Sequence, residues 1–218
     1  MKKRIVIVLT LLAALASAAC SNAFDISAAE PAAPRQGKKI LIAYFTRSDN
    51  TFVKDPAAVN VDAASSASLL APGNTAQMAA MIQSRVGGDL YAIKVKELYP
   101  EDYNECLERA ADENSANARP ELAGQVKDFQ DYDVIFLGYP NWSYSCPMAV
   151  LSFLESYDFK GKTVIPFVSH GTGGLAASVR NLERSVPEAR ILLPLGIYRD
   201  DMPQAAARID AWLQKLEY

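Results

Sequence analysis

The chain has 218 residues, half of them hydrophobic, 22% charged and 9% aromatic, a balance that builds one hydrophobic core and excludes a disordered, collagenous or disulfide-scaffold protein. Its formal charge is −3, so no basic surplus is present to track a phosphate backbone, and nucleic acid is not an expected partner. Three cysteines without a CxxC pair (Cys20, Cys106 and Cys146) and one histidine, His170, are too few ligands for a zinc or iron site, so no metal is expected.

The N-terminus reads as an address. Lys2, Lys3 and Arg4 precede an apolar run from Ile5 to Ala16 and the small residues Ser17, Ala18 and Ala19, the three parts of a secretory signal peptide over residues 1–20. The run is shorter than the ~20 residues that a spanning helix needs. The small residues before Cys20 resemble a bacterial lipobox, which implies lipidation of Cys20 and membrane contact only through that anchor. Cleavage near Ala19 to a soluble product is the other reading. Either way the expectation is an exported bacterial protein of the cell envelope. Losing Lys2, Lys3 and Arg4, with no acidic residue beside them, takes the formal charge from −3 to −6. Residues 21–37, rich in Ala and Pro without a hydrophobic period, read as a flexible tether.

From residue 38 to 218 the pattern is one domain of short apolar runs alternating with helix-like stretches, the signature of an α/β fold with helices on both faces of a parallel sheet. The predicted strands are Ile40–Phe45, Leu90–Val95, Asp133–Tyr139, Thr163–Val168 and Ile191–Leu195. The predicted helices are Thr75–Val86, Asp102–Asn114, Pro147–Tyr157, Gly174–Arg184 and Pro203–Leu216, with apolar residues three and four apart, as in Met78, Ile82 and Val86. Residues 49–72 exceed a normal strand-to-helix connection and read as an insertion, a partly ordered flap gripped by Val59, Val61, Leu69 and Leu70. In a doubly wound sheet the ligand lies beyond the carboxyl ends of the strands, so the informative loops follow the first, third and fourth strands.

After the first strand come Thr46-Arg47-Ser48 and, beyond the insertion, Gly73-Asn74-Thr75 opening a helix. Hydroxyls next to a helix N-terminus suit a phosphate, because unpaired amides and the positive end of the helix dipole face the anion. The same residues also suit an ordinary helix cap. Asp49-Asn50-Thr51 offers a second match to the motif, but the register into the helix favours Gly73-Asn74-Thr75. After the third strand, Pro140-Asn141-Trp142-Ser143-Tyr144-Ser145-Cys146-Pro147 is an aromatic loop with a proline at each shoulder. After the fourth, His170-Gly171-Thr172-Gly173 is a turn whose amides can approach a ligand closely. GxSxG, the Walker lysine and GxGxxG are absent from the sequence, which removes the α/β-hydrolase, P-loop and Rossmann readings.

With the insertion deleted, the first loop reads YFTRS-GNT-AQMAAMI and resembles the phosphate loop of flavodoxins. The stretch Gly138-Tyr139-Pro140 through Cys146-Pro147-Met148 resembles the loop against the flavin ring in the same family. The resemblance implies a three-layer, doubly wound, five-stranded parallel sheet in the order 2-1-3-4-5. It also implies FMN, with the phosphate on Thr46, Arg47, Ser48, Gly73, Asn74 and Thr75. The ring would pack on Pro140, Asn141, Trp142, Ser143, Tyr144 and Ser145, and its polar edge would meet His170, Gly171, Thr172 and Gly173. The family often has a glycine where Tyr144 stands. Here the ring loop has none, and a bulky residue at positive φ costs about 1 to 2 kcal/mol, so weak stabilisation of the one-electron-reduced flavin is expected.

The implied function is electron transfer outside the cytoplasm to a redox partner protein or small acceptor. The alternatives are an FMN-dependent reductase of quinones or similar acceptors, and a non-redox binding module without flavin. The acidic chain is expected to disfavour added negative charge on the cofactor. Cys106 and Cys146 could pair in an oxidising compartment, although Cys146 reads better as a small buried residue.

Overall fold

The computed structural model describes residues 37–60 and 68–218. The expected signal peptide, Cys20, almost all of the expected tether and Val61 lie outside the described residues. Six strands share one parallel sheet: β1 (Ile40–Tyr44), β2 (Asp89–Ala92), β3 (Val134–Pro140), β4 (Thr163–His170), β5 (Arg190–Ile191) and β6 (Leu195–Tyr198). Their order is β2-β1-β3-β4-β5, with β6 continuing the β5 position alongside β4. The helices are α1 (Asn74–Val86), α2 (Tyr103–Ser115), α3 (Met148–Glu155), α4 (Ser178–Ser185) and α5 (Ala205–Lys215).

The alternation of side chains along β1 explains the three layers. Leu41, Ala43 and Phe45 join a core that includes Cys106 of α2, Met148–Leu151 of α3 and Leu182 of α4. Ile40 and Ile42 point the other way, into a core with Met78, Ile82 and Val86 of α1 and Ile209, Trp212 and Leu213 of α5. The central strands β1, β3 and β4 are buried on both faces, so they appear in the sequence as unbroken apolar runs rather than alternating ones. Each fully buried Ile, Leu or Phe contributes about 1.5–3 kcal/mol relative to exposure.

The fifth predicted strand is two. Val164 pairs with Ile191 and Phe167 with Leu195, so three residues, Leu192–Pro194, face only Ile165 and Pro166. That is a bulge, and it falls where Pro166 and Pro194 both lack a ladder donor. The second strand ends at Ala92 rather than Val95, because Asn50 takes over the backbone beyond it: Val95 N–H donates to Asn50 Oδ1 at 2.8 Å. Helix α4 starts at Ser178 instead of Gly174, since Gly174 (φ 56°) and Ala176 (φ 43°) are left-handed and cannot lie in an α-helix. Pro203 lies in a 3₁₀ turn that delays α5 to Ala205.

The carboxyl ends of all the strands reach the same edge of the sheet. Chain direction across the sheet switches between β1 and β3, the position at which doubly wound folds open a crevice.

Candidate functional site

The interrupted first loop closes on itself. Ser48 Oγ accepts from the amide of Gly73 at 3.2 Å and lies 3.3 Å from Thr46 Oγ1. A Cβ on Gly73 would stand 2.1 Å from Thr46 Oγ1, so only glycine allows this contact. Gly73 is the N-cap of α1 and no side chain caps the helix, which leaves the amides of Asn74, Thr75 and Ala76 without intrahelical partners. Thr75 Oγ1 reaches Ser169 Oγ at 2.9 Å and ties α1 to the end of β4. Thr46, Ser48, Gly73, Asn74 and Thr75 therefore form one concave, donor-rich end.

Asn50, from the competing motif, has a different task. It is fully buried, donates to the carbonyls of Thr46 (2.9 Å) and Ile93 (3.0 Å), and accepts from Val95. Its own carbonyl accepts from Tyr99 at 2.8 Å. Asn50 is thus the brace at which the insertion leaves the domain. Leu69 is buried and Val59 and Leu70 are half-buried, the apolar grip that returns the chain to Gly73. Burial raises the pKa of the neighbouring Asp49 carboxyl. Arg47 does not share the concave end: it is 3% exposed and its guanidinium donates to the carbonyl of Glu101 at 2.9 Å, with longer contacts to Pro100 and Asp102. It holds the loop that leads into α2.

The aromatic loop is a two-residue hairpin. Trp142 and Ser145 exchange backbone hydrogen bonds of 3.0 and 2.8 Å, and between them Ser143 (φ 49°) and Tyr144 (φ 60°) form a turn of the I′ type. Both residues hold positive φ without glycine's freedom. The cost of about 1–2 kcal/mol per residue is offset by the two hairpin bonds and by Ala177 N–H, which donates to Tyr144 O at 3.1 Å. Trp142 packs edge-on to Phe45 (5.4 Å) and to Tyr99 (5.1 Å), which fixes its plane at the cavity. Tyr144 is 69% exposed and lies over Gly173. Asn141 crosses to the glycine turn, donating to the carbonyl of Gly174. Ser145 faces away from the cavity, accepting from Asn181 at 2.7 Å.

In the third loop, His170 Nδ1 pairs with Gly171 O at 2.7 Å, and Gly171, Thr172 and Gly173 expose their backbones to a cavity of about 380 Å³. Asn74 and Pro140–Tyr144 complete its predicted walls. Five further wall residues lie outside the predicted set: Ser68, Tyr103, Leu107, Ser169 and Arg199. Tyr103 and Leu107 sit one turn apart on α2 and remain exposed, an i, i+4 apolar pair that carried the signal. Arg199 follows β6 and escaped notice because that strand was expected to end at Leu195. Its guanidinium puts a cation on the cavity wall of an acidic protein, paired on one side with Asp200 at 3.4 Å. A second hollow of about 130 Å³ adjoins the first and shares Asn141, Trp142, Ser143, Tyr103 and Leu107 with it.

Cys106 and Cys146 are separate, buried free thiols. Burial raises both, the Cys146 thiol up to about 12. Among the described residues no cluster of His, Cys, Asp and Glu could hold a metal ion, and no helix is long and apolar enough to cross a membrane.

The flavodoxin family model matches residues 63–215. Among solved structures, a candidate flavoprotein from Bacteroides eggerthii DSM 20697 is 29% identical, with 83% of this chain and 99% of that one covered and a TM-score of 0.62. A second candidate flavoprotein, from Bacteroides uniformis ATCC 8492, is 26% identical, with coverage of 80% and 99% and a TM-score of 0.61. A flavoprotein from Lactobacillus acidophilus NCFM in complex with FMN is 22% identical, with coverage of 80% and 98% and a TM-score of 0.54, a likeness of fold. Among curated proteins none matches.

Proposed function

The chain belongs to the flavodoxin family, and on that premise we propose that it binds one FMN and transfers electrons outside the cytoplasm. The observation that carries the reading is the closure of the interrupted loop: Ser48 meets Gly73 across the insertion and leaves an uncapped helix N-terminus between hydroxyls. A phosphate monoester fits that end by charge and by hydrogen bonding. The flavoprotein of Lactobacillus acidophilus, of the same fold, was solved with FMN.

FMN, when bound, supplies the electron chemistry. The protein's part is to hold and shape it. Thr46 and Ser48 hydroxyls and the Asn74 and Thr75 amides anchor the phosphate. Pro140, Asn141, Trp142 and Tyr144 pack on the ring, with Trp142 held in plane by Phe45 and Tyr99. The backbones of Gly171, Thr172 and Gly173 donate to its polar groups. Export and lipidation of Cys20 belong to the same proposal, resting on the charged, apolar and small-residue succession of residues 1–20.

A reductase with its own small acceptor is the second reading. The adjoining hollow favours it, because a carrier that meets only proteins has no use for a second hollow beside its cofactor.

The test is a visible spectrum of the purified protein after incubation with FMN, with mass identification of the chromophore that acid releases. A flavin spectrum and released FMN are expected. A colourless protein that ignores added FMN overturns the reading and leaves the fold to a non-redox role.

A further inference from the structure

We propose that the 130 Å³ hollow beside the main cavity is a binding site for a single neutral aromatic ring. Its use as the acceptor pocket of a reductase rests on the FMN reading above; the binding itself does not. The size sets the first limit: an apolar protein cavity of about 150 Å³ accepts benzene, so this one holds one ring and not two. The lining sets the chemistry. Tyr103, Leu107 and Ala110 of α2 supply one part of the lining and Trp142 of the aromatic loop another, so a flat apolar molecule meets apolar surface from both elements.

Charge is disfavoured by what the polar groups already do. The Arg47 guanidinium, the cation of the hollow, is committed to the carbonyls of the loop entering α2. An anion entering here would find those N–H groups engaged and only Asn141, Ser143 and Ser68 to replace its water, so the Arg47 charge is left to offset its desolvation, a cost that a neutral ring does not carry. The hollow opens onto the same three residues of the aromatic loop that line the main cavity, so its occupant lies next to whatever fills that cavity.

Ala110 lines the hollow but not the main cavity, which separates the two sites experimentally. The full chain is titrated with para-fluorophenol, para-fluorobenzoate and naphthol, with and without FMN, and binding is read by fluorine NMR for the first two and by competition for naphthol. The phenol is expected to bind, and the benzoate and naphthol to bind at least about tenfold more weakly. Ala110→Leu fills the hollow and is expected to weaken phenol binding by at least about tenfold, with FMN uptake, read from its absorbance, retained. If Ala110→Leu does not fold, Leu107→Asn, at a half-exposed position, makes the wall polar and is expected to weaken the phenol in the same direction. Phenol binding that ignores both substitutions, equal binding of the benzoate, or no phenol binding overturns the proposal. Failure to take up FMN with phenol binding intact refutes only the cofactor reading and leaves this site standing.

Discussion

Ser48 and Gly73 stand 25 positions apart and yet share a hydrogen bond of 3.2 Å, so two pieces of sequence separated by an insertion act as one loop. Gly73→Ala places a Cβ where Thr46 Oγ1 now sits, while its φ of −64° is open to any residue. The strain is therefore steric alone. Overpacking of this kind costs about 1–3 kcal/mol. The expected outcome is a loss of FMN affinity of about tenfold or more, read by fluorescence titration, with melting lowered in proportion.

Trp142 and Trp212 are the two tryptophans, and they occupy opposite layers of the sheet. FMN uptake is expected to quench emission chiefly from Trp142, so Trp142→Phe should abolish most of the quench while Trp212→Phe preserves it. Trp142→Ala also removes edge contacts to Phe45 and Tyr99 and is expected to cost about 3 kcal/mol in urea unfolding.

Tyr144 holds a left-handed backbone at a mostly exposed position, so its side chain contributes strain there with little burial. Tyr144→Gly is expected to stabilise the protein by about 1 kcal/mol in the same unfolding assay, since glycine takes positive φ without a Cβ clash. Loss of the ring should nevertheless weaken FMN.

Arg119 donates two hydrogen bonds to Glu155, of 2.7 and 2.6 Å, and holds the Glu155 carboxyl below its ordinary pKa. A lowered native pKa means that the unfolded chain binds the proton more readily. The pair's stabilisation is thus complete above the unfolded glutamate value, about 4.3, and is lost as pH falls through the native value. Both side chains are partly solvated, so the contribution is about 1 kcal/mol or less. Glu155→Gln should lower stability near pH 7 by that amount and match the wild type near pH 2, compared by urea melts at the two conditions.

Arg199 opposes the acid surplus of the whole chain at the one place where charge on a cofactor would be felt. Arg199→Gln is expected to lower the two-electron midpoint potential of bound FMN by about 30 mV for each tenfold loss in the hold on the reduced cofactor. Equilibration against dyes of known potential reads it. An unchanged potential would assign Arg199 to the surface.

What could be read from the sequence followed burial. Strands β1, β3 and β4 stood out because both of their faces are covered, and Gly73-Asn74-Thr75 stood out because it runs directly into the Met78, Ile82 and Val86 stripe. The broken fifth strand did not, because the bulge depends on Leu192–Pro194 lying opposite Ile165 and Pro166, a pairing that no local window contains. Arg47 reads as a phosphate ligand beside Thr46 and Ser48, yet the carbonyls that turn it inward come from residues 100–102. Tyr103, Leu107 and Arg199 approach the cavity from elements far away in the chain. Their place was fixed by tertiary packing, while the three loops that the fold brings to the switch point were available from order alone.

Asn50 and Gly73 also bound the insertion at its two ends, one by five hydrogen bonds inside the domain and the other by its contact with Thr46 and Ser48. With both stubs tied off, the two ends of the insertion hold their places on the domain. Doubling the length of a connecting segment adds only about 0.6 kcal/mol of closure entropy. The position is a natural graft point, where a peptide tag, an affinity handle or a second domain can be spliced in while the neighbouring cradle keeps its shape.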